Sequence, residues 1–197
     1  VSRLDDAIAA IDAANADDPH TIEVRGVVRP KEQAHAELMS EWLQRLDPGA
    51  TDAQQLAARA HHLRRWSVPR SEYPDGRGGY LRWRTALKKQ HADEVASILE
   101  RTGYDAATID RTQQIIRKEG LGRDAEVQTH EDALCLVFLE TQLAELADAQ
   151  GEEKIVDIIR KTAAKMSPRA LELAAGLPMR DADRALVARA LGEGAGA

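Results

Sequence analysis

Residues 125–149 read AEVQTHEDALCLVFLETQLAELADA, twenty-five positions with neither glycine nor proline. Within them Asp132, Leu136, Leu139 and Leu143 are spaced four, three and four apart. That is the period of one face of an α-helix, and a strand would alternate every second residue instead. The run therefore predicts a long helix whose apolar stripe is headed by a carboxylate. A carboxylate on a buried face needs a partner or a metal ion.

The rest of the chain follows the same period. Of 197 residues, 43% are hydrophobic and 30% charged, with few aromatic positions. Such a balance predicts an all-α single-domain bundle of about seven to nine helices, with a core over about 3–166, a helical extension over 167–192 and a frayed tail at 193–197. Ser2 caps a first helix over about 3–16. Residues 17–29 are expected as a loop, with TIEVRGVV (21–28) as a short extended piece lacking an evident partner. Pro30 opens a second helix to about Leu46, and Thr51 or Asp52 caps a third to about Arg65. Residues 66–79, WSVPRSEYPDGRGG, carry two prolines and three glycines and read as a loop. Further helices are expected over about 80–102, 105–120, 125–149 and 152–166. Ser167-Pro168 opens a short one, and the last covers about 181–191.

No apolar run approaches the ~20 residues that cross a bilayer, so no membrane partner is expected. The first residues form an acidic amphipathic segment unlike a signal peptide, and the single cysteine, Cys135, lies in an apolar run. A cytoplasmic location follows as the expectation. A net charge of −6 argues against a general nucleic-acid binder.

Three histidines sit on apolar stripes: His35 four residues before Met39, His91 with Leu87, Val95 and Ile98, and at least one of the adjacent pair His61–His62. Imidazole and carboxylate together suit borderline and hard divalent ions. Each such histidine alone reads more plainly as a hydrogen-bonded core residue, and Asp132 as the partner of an arginine. His20 and His130 stand among polar neighbours and read as surface residues. The charge is also uneven. From Arg64 to Lys89 there are eight basic residues and two acids, Glu72 and Asp75. Arg64, Arg65, Arg70, Arg77, Arg82 and Arg84 surround Trp66, Tyr73, Tyr80 and Trp83. Guanidinium forks match phosphate, and aromatic faces stack on bases, so this segment is the expected anion-binding loop. The plainer reading is a solvated basic face.

The stretches RLDDAIAAIDAAN (3–15), RPKEQAHAELMSEWL (29–43), ARAHHLRRWSVPRSEYPDGRGGYLRWRTALKKQHA (58–92), IIRKEGLGRDAEVQTHEDALCLVFLE (115–140) and KIVDIIRKTAAKMS (154–167) resemble an uncharacterised family, domain of unknown function 4202. That resemblance covers almost the whole chain and implies no reaction. More distantly, the layout is similar to the HD superfamily of metal-dependent phosphohydrolases. It implies an HD-like helical fold, a divalent metal ion held by His35, His61, His62 and Asp132, and catalytic roles for His62 and Asp132. His62 stands where that superfamily has aspartate. Its later helix histidine falls on His91, placed with the arginines and with Trp66 and Trp83 as ligand-binding. The implied partner is a small phosphorylated or nucleotide-like substrate. The alternatives are a non-catalytic module that binds a phosphorylated ligand or RNA through the loop 64–89, and a protein-interaction scaffold. KMS at 165–167 resembles the KMSKS loop of class I aminoacyl-tRNA synthetases. Here, however, it ends one helix and caps the next, and no alternating strand–helix pattern accompanies it.

Overall fold

A computed structural model describes residues 2–192. Among them are ten α-helices, two single 3-10 turns and one two-stranded sheet. The expected all-α class is what the chain adopts. The expected fraying of the tail falls on residues 193–197, outside the described residues. None of the described helices is long and apolar enough to cross a membrane. The chain divides into two compact units, Val1–His130 and Glu131–Ala197.

The first unit opens with α1 (Arg3–Asn15), whose Ser2 hydroxyl accepts from the Asp5 N–H while the Asp5 carboxylate accepts from the Ser2 N–H. This reciprocal cap satisfies two donors that a helix end leaves open. Next comes a hairpin, β1 (Thr21–Val24) and β2 (Val27–Pro30), antiparallel with Val24 opposite Val27. The partner strand missed in the sequence is the second half of TIEVRGVV itself. Arg25 and Gly26 both have positive φ, the conformation that a two-residue hairpin turn demands. Pro30 ends β2 and precedes α2 (Lys31–Leu46).

The third helix, α3 (Asp52–Arg59), is capped by Thr51 as expected but is shorter than its apolar pattern suggests. A helix to Arg65 is overturned by a series of tight turns, with the Leu63 N–H bonded to the Ala60 carbonyl and the Arg65 N–H to the His62 carbonyl. Arg64 takes a left-handed conformation, φ 48°, and its N–H donates to the Asn15 side chain at 2.9 Å. That partner lies 49 residues away, so no local signal announces the break.

Two 3-10 turns follow, Arg65–Ser67 and Arg70–Glu72. Then α4 (Gly76–Arg101) begins four residues before the expected Tyr80. Three glycines there oppose a helix, and tertiary contacts outweigh them. The Trp83 indole N–H donates to the Val68 carbonyl, and the Arg70 guanidinium donates to the Tyr73 and Pro74 carbonyls. At Gly79 a Cβ would lie 1.7 Å from the Pro74 carbonyl oxygen, so only glycine permits this approach. The unit closes with α5 (Ala106–Arg117) and the start of α6 (Ala125–Thr141). Its core is built from Ile11 of α1, Leu56 and Ala57 of α3, Val95 and Leu99 of α4, Ile115 and Ile116 of α5, and Val127.

The second unit holds the rest of α6 with α7 (Leu143–Ala149), α8 (Glu152–Ala163), α9 (Pro168–Ala175) and α10 (Asp181–Leu191). The single helix expected over 125–149 is two, broken at Gln142. Beside the break the Thr141 hydroxyl bonds the Val137 carbonyl at 2.7 Å, a back-bond that bends helices. Ser167 caps α9 with Pro168 at its first position, as expected. Asp132, Leu136, Leu139 and Leu143 are all buried. The Asp132 carboxylate accepts the Ser167 N–H at 2.9 Å, holding the cap of α9.

Candidate metal centre

Within the first unit five of the chain's six histidines gather. His35 comes from the buried face of α2, His61 and His62 from the turn after α3, His91 from α4 and His130 from α6. The turn matters for the adjacent pair. In an α-helix successive side chains diverge by about 100°. Off the helix, the His61 and His62 rings lie with centroids 4.6 Å apart. One ligand atom from each of His35, His61 and His62 lies within 4.8 Å of the others, a trio able to hold a metal ion.

The ring partners define which nitrogens remain available. His91 Nδ1 faces the Leu63 carbonyl at 2.9 Å, so Nδ1 carries the proton and Nε2 keeps its lone pair. His61 Nδ1 and His130 Nε2 are 2.8 Å apart. His62 Nδ1 lies 3.1 Å from a Glu32 carboxylate oxygen, the pairing by which a carboxylate orients a metal-binding imidazole. His35 Nε2, His91 Nε2 and His130 Nδ1 are buried and have no hydrogen-bond partner. Each such group costs about 1–3 kcal/mol, and native proteins leave few of them. Their donor chemistry fits a borderline divalent ion.

Two features oppose a fully preformed site. The His35 and His62 rings are stacked, with centroids 4.0 Å apart and planes 13° from parallel. Lone pairs of parallel rings run side by side, so one ring must turn about its soft terminal torsion to share an ion. The Arg65 guanidinium also lies 3.0 Å from His62 Nε2.

Burial keeps all five imidazoles neutral. It lowers His35 to about 3, with the Arg65 charge adding to the effect. It lowers His130 to about 3, helped by Lys118, and His91 to about 4, against the bond to Leu63. His61 and His62 fall well below the ordinary value for the same first reason, with neighbouring imidazoles adding. Neutral imidazole is the metal-binding form. Burial raises Glu32 to about 7, opposed by Arg65.

A narrow cleft of about 20 Å³ opens beside the cluster, lined by His61, His62, Arg84, Leu87, Lys88, His91, Ile116 and Lys118. Its walls bear three cations and no carboxylate. Of the expected loop residues, Arg84 reaches this wall and Arg65 lies against His62, stacked over the Trp83 ring at 5.0 Å. Trp83 is buried and Trp66 half-buried, as expected of anchors. Arg64, Arg77 and Arg82 are exposed, and Arg70 is held by its own loop's carbonyls. Asp132 belongs to the second unit.

The sequence reading missed three members. His130 is not a surface residue: it is 2% exposed. Its polar neighbours hid it, although Val127, three residues earlier, is on the same buried face. Glu32 could have been suspected from its place one turn before His35. Lys118 gave no signal. It follows α5 in the left-handed conformation, φ 61°, where glycine is the preferred residue. The Glu119 N–H returns to the Gln114 carbonyl, which fixes the position of Lys118 in a helix-ending motif. The chain thus places a lysine at a glycine position on the cleft wall. Replacing Lys118 with Gly is expected to stabilise the fold by about 0.5–1 kcal/mol, near 2–4 °C in melting temperature. A lower melting temperature would show instead that the lysine supports the fold.

The model of the family described as Domain of unknown function (DUF4202) matches residues 5–187. The chain belongs to this family. No curated protein and no solved structure matches. The DUF4202 span contains every residue of the histidine cluster and of the cleft, so the candidate centre lies wholly within the family region.

Proposed function

We propose that this DUF4202 protein is a metal-dependent phosphohydrolase, HD-like in layout, that acts on a small phosphorylated or nucleotide-like molecule. The observation that carries the reading is the set of neutral, buried imidazoles, three with a nitrogen lacking any hydrogen-bond partner, beside a cleft walled by Arg84, Lys88 and Lys118. His35, His61 and His62 hold the ion. When bound, a divalent ion lowers the pKa of water and neutralises phosphate oxygens. Glu32 orients His62, and His130 orients His61. Arg84, Lys88 and Lys118 bind the phosphate oxygens. His91, on the cleft wall, presents an unprotonated Nε2 as a proton acceptor.

The test is elemental analysis of protein purified without a metal-affinity tag. About one equivalent of a transition metal per chain is expected, falling below a tenth in a His61→Ala variant. Metal-free protein that also fails to take up zinc or manganese in equilibrium dialysis would remove the reading.

A second reading has its own support. The stacked His35–His62 pair and the guanidinium on His62 Nε2 make a site that recognises an anion with no metal present. In that case the chain is a non-catalytic module, and it binds phosphate equally well in the presence of a chelator.

A further inference from the structure

Beyond the cationic cleft wall, α4 carries a further feature suited to a ligand. Along α4 the positions Tyr80, Arg84, Lys88 and His91 recur every three or four residues, so they share one face. The face is graded. His91 is buried at the inner end, Arg84 and Lys88 are half-buried on the cleft wall, and Tyr80 is 45% exposed at the outer end. Leu81, 53% exposed, lies next to it, giving an apolar ledge with no covering element among the described residues. The ledge is not loose. The Tyr80 ring packs against Trp83 with centroids 5.9 Å apart, and Trp83 is fixed by its bond to the Val68 carbonyl. Arg65 also lies over the Trp83 ring, 5.0 Å from its centroid. Its guanidinium is half-buried against an imidazole and an indole face, and Glu32 is the carboxylate whose charge acts on it. Glu32, raised to about 7, neutralises this cation only in part, and a bound anion would complete the neutralisation.

We propose that the ligand is a nucleotide, with its phosphate against Arg84 at the cleft and its base stacked on the exposed ring of Tyr80. This rests on the reading of the cleft as a phosphate site. One helical turn separates the two side chains, about 6 Å along the axis, a span of the order of the ribose between a 5′-phosphate and its base. A planar ring over tyrosine is favoured whatever its hydrogen-bonding edge, so Tyr80 selects for a base without selecting which base. The charges of Arg84, Lys88, Lys118 and Arg65 favour a dianionic terminal phosphate over a phosphodiester.

The experiment is calorimetric titration of the intact chain with adenosine 5′-monophosphate, ribose 5-phosphate and inorganic phosphate, each with and without added zinc. Adenosine 5′-monophosphate is expected to bind about tenfold tighter than ribose 5-phosphate. Tyr80→Ala should abolish that difference and leave ribose 5-phosphate affinity unchanged. Arg84→Ala should weaken both ligands about tenfold or more. Equal affinity for the two ligands, or a nucleotide advantage that survives Tyr80→Ala, would overturn the proposal. Failure of every phosphate compound to bind overturns it together with the phosphate reading of the cleft. The metal content of the same preparation then decides separately whether the histidine site stands. Tyr80 is exposed, so the circular dichroism of its variant should match the parent and exclude misfolding as the cause.

Discussion

Lowering the pH from 7.5 to 5.5 in the presence of a chelator is expected to destabilise this fold markedly. The cause is the five neutral imidazoles. His35, His91 and His130 have folded values of about 3, about 4 and about 3, against about 6.5 in an unfolded chain. Between those limits the unfolded chain binds a proton that the folded chain refuses, so stability rises with pH and falls as pH drops below about 6.5. Each group loses about 1.4 kcal/mol per pH unit, so these three remove about 4 kcal/mol by pH 5.5. His61 and His62 are shifted the same way and add to the loss. Glu32 has the opposite sign. Its value is raised to about 7, so its contribution grows as pH falls from 7 towards 4.5, and it offsets about 2 kcal/mol. The net loss is a large share of the 5–15 kcal/mol typical of a domain. Urea unfolding followed at 222 nm across this range measures it. A midpoint independent of pH would mean that the imidazoles are solvated and protonated in the folded state. His130→Gln should flatten the slope by about 1.4 kcal/mol per pH unit.

Divalent metal is expected to act in the opposite direction. An ion that binds only the folded chain at a hundred times its dissociation constant adds about 2.7 kcal/mol, which in a chain of this size raises the melting temperature by roughly 5–10 °C. It also holds the imidazoles deprotonated, so the acid transition should move to lower pH. His61→Ala lowers the melting temperature of the metal-free protein as well, because it strips His130 of its partner. The decisive quantity is therefore the metal-induced shift, which should vanish in His61→Ala. In His20→Ala, which alters an exposed histidine outside the cluster, the shift should persist in full. Equal shifts in both variants would place the ion elsewhere.

Local chemistry was readable in the sequence, and long-range chemistry was not. Ser2, Thr51, Asp105 and Ser167-Pro168 announce helix starts because a cap acts on N–H groups two or three residues away. The period of α6 puts Asp132 on a buried face for the same local reason. The end of α3 depends on Asn15 gripping Arg64 across 49 residues, and the early start of α4 depends on Pro74 closing over Gly79. Both are tertiary choices that override propensity. The candidate centre divides in the same way. The stripes expose His35 and His91, whereas His130 and Lys118 enter through packing and through a helix end whose left-handed residue carries no glycine to mark it.

The hairpin of β1 and β2 has a practical use. Its base is clamped, with the Lys31 N–H on the His20 carbonyl and the Asp18 carboxylate accepting the N–H groups of both His20 and Glu32. The chain thus leaves and re-enters the fold at one point. Extra residues spliced between Arg25 and Gly26 only enlarge a closed loop, and the entropy of such a loop grows with the logarithm of its length. A short affinity epitope without histidine, carried at that tip, would let the protein be captured and assayed for native metal without a polyhistidine tag competing for the ion.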